Sequence, residues 1–168
     1  MIGSIPGNTP SAPMQEKHGG GQAGPLDVRV WLRMLSCTMT IEKQLRRRFT
    51  DQYGTTLPRF DVMASLDRYP QGQTMGQLSR ALLVSNGNVT AIVRQLQEQG
   101  LVETRPDPDD RRSSIARLSE QGKLEFDTLA AAHHAWIGQA LAGLKPESQA
   151  ALYELLAEMK ASIAAEGK

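Results

Sequence analysis

The sequence predicts a mainly α-helical chain carrying one small β-hairpin. Three observations predict it. From Leu26 onward apolar residues recur at steps of three and four, which places them on one face of successive helices. On both sides of Pro106–Arg112 the period changes to two, as in a half-buried strand. Helix-starting residues (Thr74, Ser85, Ser119) and helix-stopping glycines (Gly54, Gly100, Gly143) stand at the ends of these stretches.

The first helix is expected from Leu26 to about Gln52, with Trp31, Met34, Leu35, Ile41, Leu45 and Phe49 as its stripe. Arg46, Arg47 and Arg48 lie in its last turns, where cations suit the helix dipole. Pro58 suits the opening turn of a second helix, whose buried face would be Phe60, Met63, Leu66 and Tyr69, and Pro70-Gln71-Gly72 ends it. Thr74 caps a short third helix with Met75, Leu78 and Leu82 inward. Ser85 caps a fourth to about Gln99, with Val89, Ile92, Val93 and Leu96 inward and Gly100 as its stop. Leu101–Arg105 and Ser113–Leu118 are the strands, and the two prolines and three aspartates between them make a hairpin loop. Ser119 caps a long fifth helix to about Ala142, striped by Phe126, Leu129, His133, Trp136, Ile137 and Ala140. Pro146 opens a sixth, with Leu152, Leu156, Met159 and Ile163 at near-heptad spacing. The order is a helix-turn-helix followed by a wing, flanked by longer helices.

Composition narrows the function. With 19 basic and 18 acidic residues the chain is no polycation, so any nucleic-acid contact must come from a local patch. One cysteine, Cys37, excludes an internal disulfide and a Cys-cluster zinc site. No apolar run approaches the roughly 20 residues of a membrane span, and Met1–Pro25 lacks a signal-peptide core. A soluble, cytoplasmic protein is the simplest expectation. Residues 1–25 contain six glycines and four prolines and are read as a disordered tail; 26–168 are read as one folded unit. Within it the winged helix-turn-helix occupies about 55–118, and the helices at about 26–52 and 119–165 carry broad apolar stripes that two-fold pairing would bury. No nucleophile elbow, P-loop or His-Glu-x-x-His is present, adjacent His133 and His134 point about 100° apart on a helix, and no enzyme or cofactor is expected.

On the fourth helix Asn86, Asn88, Thr90, Ala91, Arg94 and Gln95 are left outward. Asparagine bonds adenine edges bidentately in the major groove, and threonine meets a thymine methyl or a phosphate. Gly87 permits close backbone approach. Arg111 and Arg112 at the hairpin tip suit a minor groove, and Asp110, two residues from Arg112, is placed to brace it. Between Thr74 and Leu118 there are six basic and five acidic residues, so geometry and not charge must carry a DNA-binding reading. The other readings are a charge-balanced solvated turn and a winged-helix adaptor that binds protein without DNA.

The stretch 101–122, with Asp-Pro-Asp-Asp-Arg-Arg followed by Leu-Ser-Glu-Gln-Gly, resembles the wing signature of the MarR family of transcription regulators, and Val-Ser-Asn-Gly-Asn-Val-Thr at 84–90 resembles the start of its recognition helix. The resemblance runs from Leu26 to Ile163. It implies a homodimeric, ligand-responsive repressor on a near-palindromic operator, with terminal helices as the dimerisation region. Carried over by position, Ser85, Asn86, Asn88 and Thr90 would face the major groove, Arg94 a phosphate, and Arg112, with Arg111 beside it and Asp110 as its brace, the minor groove. Gln95 departs from the arginine common at that position, which puts the backbone contacts of this helix in question.

An effector site is expected from Trp31 and Met34, Phe60 and Met63, and His133 and Trp136, with Arg29, Arg33 and Arg59 available to a carboxylate or phosphate. The competing reading makes these apolar residues ordinary core and interface. Leu-Pro-Arg-Phe-Asp at 57–61 together with 84–90 is similar to a branch of the family governing aromatic-acid catabolism, which implies an aromatic acid or an aryl-CoA thioester as effector. A redox effector acting at Cys37 and a drug-like effector are the alternatives; Cys37, mid-helix beside Met34 and Ile41, is expected to be buried and inert.

Overall fold

A computed structural model describes residues 24–110 and 112–166. The expectation of a disordered tail therefore lies, for residues 1–23, outside the described residues, and so does Arg111. The chain divides into two compact units, residues 1–43 and 44–168. Helix α1 (Leu26–Tyr53) begins in the first and ends in the second.

The second unit contains α2 (Leu57–Arg68), β1 (Gln73–Thr74), α3 (Met75–Leu82), α4 (Asn86–Glu98), β2 (Val102–Pro106), β3 (Ser114–Leu118), α5 (Glu120–Leu141) and α6 (Pro146–Glu166). Every expected helix forms within two residues of its expected ends. The caps form as the sequence implies. The Thr74 side chain accepts from Gln77 N while the Gln77 side chain accepts from Thr74 N, a reciprocal capping box. Ser85 Oγ accepts from Asn88 N, and Ser119 Oγ from Gly122 N.

The hairpin is part of a three-stranded antiparallel sheet in the order β1-β3-β2. Ala116 faces Gln73 on one side and Thr104 on the other. The short β1 was not expected from the sequence. Gly72 makes it reachable: at φ 96° it brings the chain so close to β3 that a Cβ would lie 2.5 Å from Ile115 Cγ2 and 2.7 Å from the Ala116 carbonyl oxygen. Gln73 is buried there, and its Oε1 accepts from Ser65 Oγ at 2.8 Å.

One core lies beneath the sheet and helices. Val62, Met63 and Leu66 of α2, Leu78 of α3, Val89, Val93 and Leu96 of α4, Leu101, Val102 and Ala116 around the hairpin, and Phe126 and Leu129 of α5 are all buried. Each large member contributes about 1.5–3 kcal/mol by leaving water. Helix α5 meets the hairpin through Gly122, where a Cβ would lie 1.9 Å from the Leu101 carbonyl oxygen, so no other residue fits without moving the backbone. On the surface, Lys123 Nζ bridges Asp67 of α2 at 2.9 Å and Asp127 of α5 at 2.6 Å, and these bonds, that to Asp127 foremost, raise the pKa of the ammonium.

Some sequence expectations are corrected. Trp31 is exposed, and of the α1 stripe only Leu45 and Phe49 are fully buried. Tyr69 is exposed because it is the C-cap of α2, where the backbone has left the helical path and the side chain leaves the inward face. Ala140, in the last turn of α5, is exposed. Cys37 is exposed, because Ser36, one helical step away, occupies the inward direction instead. Helix α6 has no buried residue among its described side chains: Leu156 and Met159 are half-buried, whereas Leu152, Tyr153, Leu155 and Ile163 are exposed. No helix of the described residues is long and apolar enough to cross a membrane.

Candidate nucleic-acid interface

Helices α3 and α4 meet through a three-residue turn, Leu83–Ser85. Leu83 N donates to Arg80 O and Val84 N to Ser79 O at 3.2 Å, a pattern that closes a helix on a left-handed residue. Ser79 Oγ donates to Val84 O at 2.6 Å and locks the turn. The left-handed residue is Leu83, with φ 55°, the one non-glycine residue with positive φ among the described residues. A side chain there costs about 1–2 kcal/mol.

Helix α4 is two-sided. Val89, Val93 and Leu96 are buried beneath it, and Asn86, Gly87, Asn88, Thr90, Ala91, Arg94 and Gln95 are exposed. Those are the residues the sequence leaves outward, and α4 is long enough to cross a major groove face. Around Gly87 a Cβ would meet nothing within 4 Å. The Thr90 hydroxyl donates back to Asn86 O at 2.9 Å, which leaves its oxygen an acceptor and its methyl available. Arg94 Nε lies 3.9 Å from Glu98 Oε1, a loose exposed pair that phosphate can replace at little cost.

The wing loop is held from within. Asp107 N donates to Ser113 O at 3.0 Å, and Ser113 N to Asp110 O at 2.8 Å. The Asp107 carboxylate accepts from Asp109 N at 3.0 Å, and the Asp110 carboxylate from Arg112 N at 2.9 Å. Asp110 therefore braces Arg112 through its backbone amide, since residues two apart in a turn place the carboxylate over the amide. The loop aspartates act as turn formers, and among the described residues the Arg112 guanidinium has no ion-pair partner.

Three exposed arginines were not singled out from the sequence. Arg105 and Arg117 share the outward face of the hairpin with Ile115, since the register pairs Arg105 with Ile115 and Glu103 with Arg117. Glu103 takes Arg117 in two hydrogen bonds, of 2.9 and 3.2 Å, so among the described residues Arg105 is the charge on that face without an ion-pair partner. Arg80 is exposed on α3. The strand alternation carries the signal for Arg105; a short amphipathic helix carries the one for Arg80.

The expected effector residues fall into two sets. Arg29, Trp31, Arg33 and Met34 lie on α1 in the first unit. In the second, Phe60, Met63 and Trp136 are buried and His133 is half-buried. Phe60, His133 and Trp136 pack around Phe49, a residue of the α1 stripe that the sequence does not mark as part of the site. Phe49 and Phe60 rings lie 4.9 Å apart, Phe60 and His133 4.7 Å, and Phe49 and Trp136 5.1 Å. The rings are in contact, so this region is filled core. Burial, with a smaller contribution from His134, lowers the His133 pKa. Arg59 donates to Gln99 Oε1, and its own Nε is buried without a hydrogen-bond partner among the described residues.

The MarR family model matches residues 53–113, which span α2, the α3–α4 pair and the hairpin to its tip. YkoM of Bacillus subtilis (strain 168), described as an uncharacterized HTH-type transcriptional regulator, is 33% identical over 110 residues, covering 65% of this chain and 70% of that protein. A MarR-family transcriptional regulator from Silicibacter pomeroyi, solved by crystallography, is 30% identical with TM-score 0.69, covering 82% of this chain and 94% of that one. The chain belongs to the MarR family. As a MarR-family transcriptional regulator it has the family's mainly helical fold with a small antiparallel sheet. The transcriptional activatory protein BadR of Rhodopseudomonas palustris is 29% identical over 104 residues, covering 61% of this chain and 59% of BadR.

Proposed function

We propose that this MarR-family chain is a homodimeric, ligand-responsive repressor that binds a near-palindromic operator. One observation carries the DNA reading: α4 offers an exposed polar face, Asn86, Asn88 and Thr90, beside a wing whose Arg112 guanidinium has no ion-pair partner among the described residues while its backbone is fixed. In this reading α4 enters the major groove, with Ser85 and the two asparagines at its leading end, and Arg94 meets a phosphate. Arg112, with Arg111 beside it, enters the adjoining minor groove.

The exposed apolar residues of α6 support pairing of two chains, because water otherwise covers Leu152, Tyr153, Leu155 and Ile163. Two-fold symmetry then sets two α4 helices about 34–36 Å apart, one turn of duplex. In this reading the terminal helices form the dimerisation region.

The effector is proposed to be an aromatic acid or an aryl-CoA thioester. What supports an anionic, ring-bearing ligand is the unpaired buried Nε of Arg59 next in sequence to Phe60, whose ring stacks on His133. Because those rings are in contact, ligand entry must separate α2 from α5, and α2 packs directly on α4. A ligand that binds the separated state more tightly shifts the helix spacing by that difference in affinity and no more.

The test is selection of genomic fragments by the purified protein, followed by fluorescence anisotropy on the selected duplex. A near-palindromic consensus supports the reading; no consensus refutes it. Arg112→Ala is expected to weaken binding and reduce the salt slope by about one. Titrating aromatic acids and aryl-CoA esters into the complex should release the duplex, and no release at millimolar ligand would remove the effector assignment. Tighter binding on titration would instead assign activation, the role named for BadR.

A further inference from the structure

The α3–α4 turn carries two unrelieved costs at one residue. Leu83 holds a left-handed backbone that glycine or asparagine adopts more readily, and its side chain is 93% exposed, the most exposed large apolar residue among those described. Val84 beside it is exposed as well. The conformation is not loose: the Leu83 and Val84 amides and the Ser79 hydroxyl all hold it. A locked turn that presents a solvated leucine is a strained feature of the kind found where a partner is met.

We propose that Leu83 is a DNA-contacting residue that packs its side chain on the apolar carbon surface at the rim of the major groove, the deoxyribose face or a thymine methyl. The inference rests on the DNA reading of α4. What places duplex there is continuity: Leu83 is two residues before Ser85 and three before Asn86, at the leading end of the helix that carries the polar face. Duplex offers an apolar surface at that position in two forms, the sugar of every nucleotide and the C5-methyl of thymine. Contact with either removes the leucine from water, a gain that is absent in the free protein. No charge is involved, so this contact adds affinity without adding to counterion release.

The experiment measures operator affinity, salt slope and thermal stability for the full chain and for Leu83→Gly, Leu83→Asn and Leu83→Met. Glycine and asparagine are expected to leave the melting temperature unchanged or raised, and to weaken binding about three- to tenfold with the salt slope unchanged. Methionine retains binding. A loss equal across unrelated duplexes assigns the sugar face; a loss confined to sites with thymine at one position, reproduced by uracil at that position, assigns the methyl. If all three variants bind like the parent while Arg112→Ala is impaired, the inference is overturned and the DNA reading stands. If asparagine binds like the parent while glycine does not, the contact is not apolar and the inference is overturned. Variants that bind normally but lose control of transcription would assign Leu83 to a protein partner instead. A parent chain that selects no duplex would end both readings together.

Discussion

Helices α4 and α6 use apolar residues in opposite ways. Helix α4 buries Val89, Val93 and Leu96 against its own chain and turns amides and hydroxyls outward. Helix α6 turns Leu152, Tyr153, Leu155 and Ile163 outward and has no fully buried residue among its described side chains. A capped, two-sided helix is complete within one chain and its free face is chemistry for something polar. An apolar helix without a covering layer leaves its face to the partner chain proposed above. In the proposed dimer, the difference separates what one copy folds from what the second copy covers.

The sharpest way to break that comparison is to make α6 polar. Leu152→Glu with Ile163→Glu should halve the mass seen by sedimentation and weaken operator binding by about a hundredfold or more, since two linked half-sites are then lost to each other. An unchanged dimer would mean that α6 is not the partner surface. Next comes the platform that α4 stands on. Gly122→Ala should lower stability by about 1–3 kcal/mol, seen in the urea midpoint, because the added methyl meets the Leu101 carbonyl. On α4 itself, Asn88→Ala should cost about 1–3 kcal/mol of operator affinity and relax preference at particular base pairs, read by competition between point-substituted duplexes. An equal loss on every duplex would reassign Asn88 to the DNA backbone.

The smallest effect is in pH. Burial favours neutral His133 in the folded chain, so its folded pKa lies below the ordinary 6.5. Its contribution to stability is full above pH 6.5 and declines as the pH falls through that value toward the folded pKa, where the folded chain protonates too. His133→Gln should flatten this decline in urea titrations between pH 7 and 5.

The helices were legible because each announces itself locally: Thr74, Ser85 and Ser119 cap, and the apolar period places Val89, Val93 and Leu96. The exposed residues of α4 followed from the same period. What was not legible depends on partners distant in sequence. Strand β1 is two residues long and exists through its register with Ile115 and Ala116, which no local pattern encodes. Leu83 gives no sign of a left-handed turn, because its conformation is set by the carbonyls of Ser79 and Arg80. Asp110 was placed beside Arg112 correctly, but spacing alone does not distinguish amide from guanidinium. Phe49 looks like any stripe residue until α2 and α5 fold around it.

The join between the wing and α5 has a mechanical consequence. Ser119 donates its hydroxyl to Gly100 O at 2.6 Å and its amide to Leu101 O at 3.0 Å, and the bare Cα of Gly122 rests on that same carbonyl. Three fastenings within one turn fix the start of the long helix to the root of the hairpin. Its far end, about 30 Å away along a 22-residue rod, is then the long arm of a lever whose short arm is the root of the hairpin. Any rotation at the hairpin root would be magnified toward that far end in proportion to its distance, and the buried Phe126, Leu129 and Trp136 of α5 resist it.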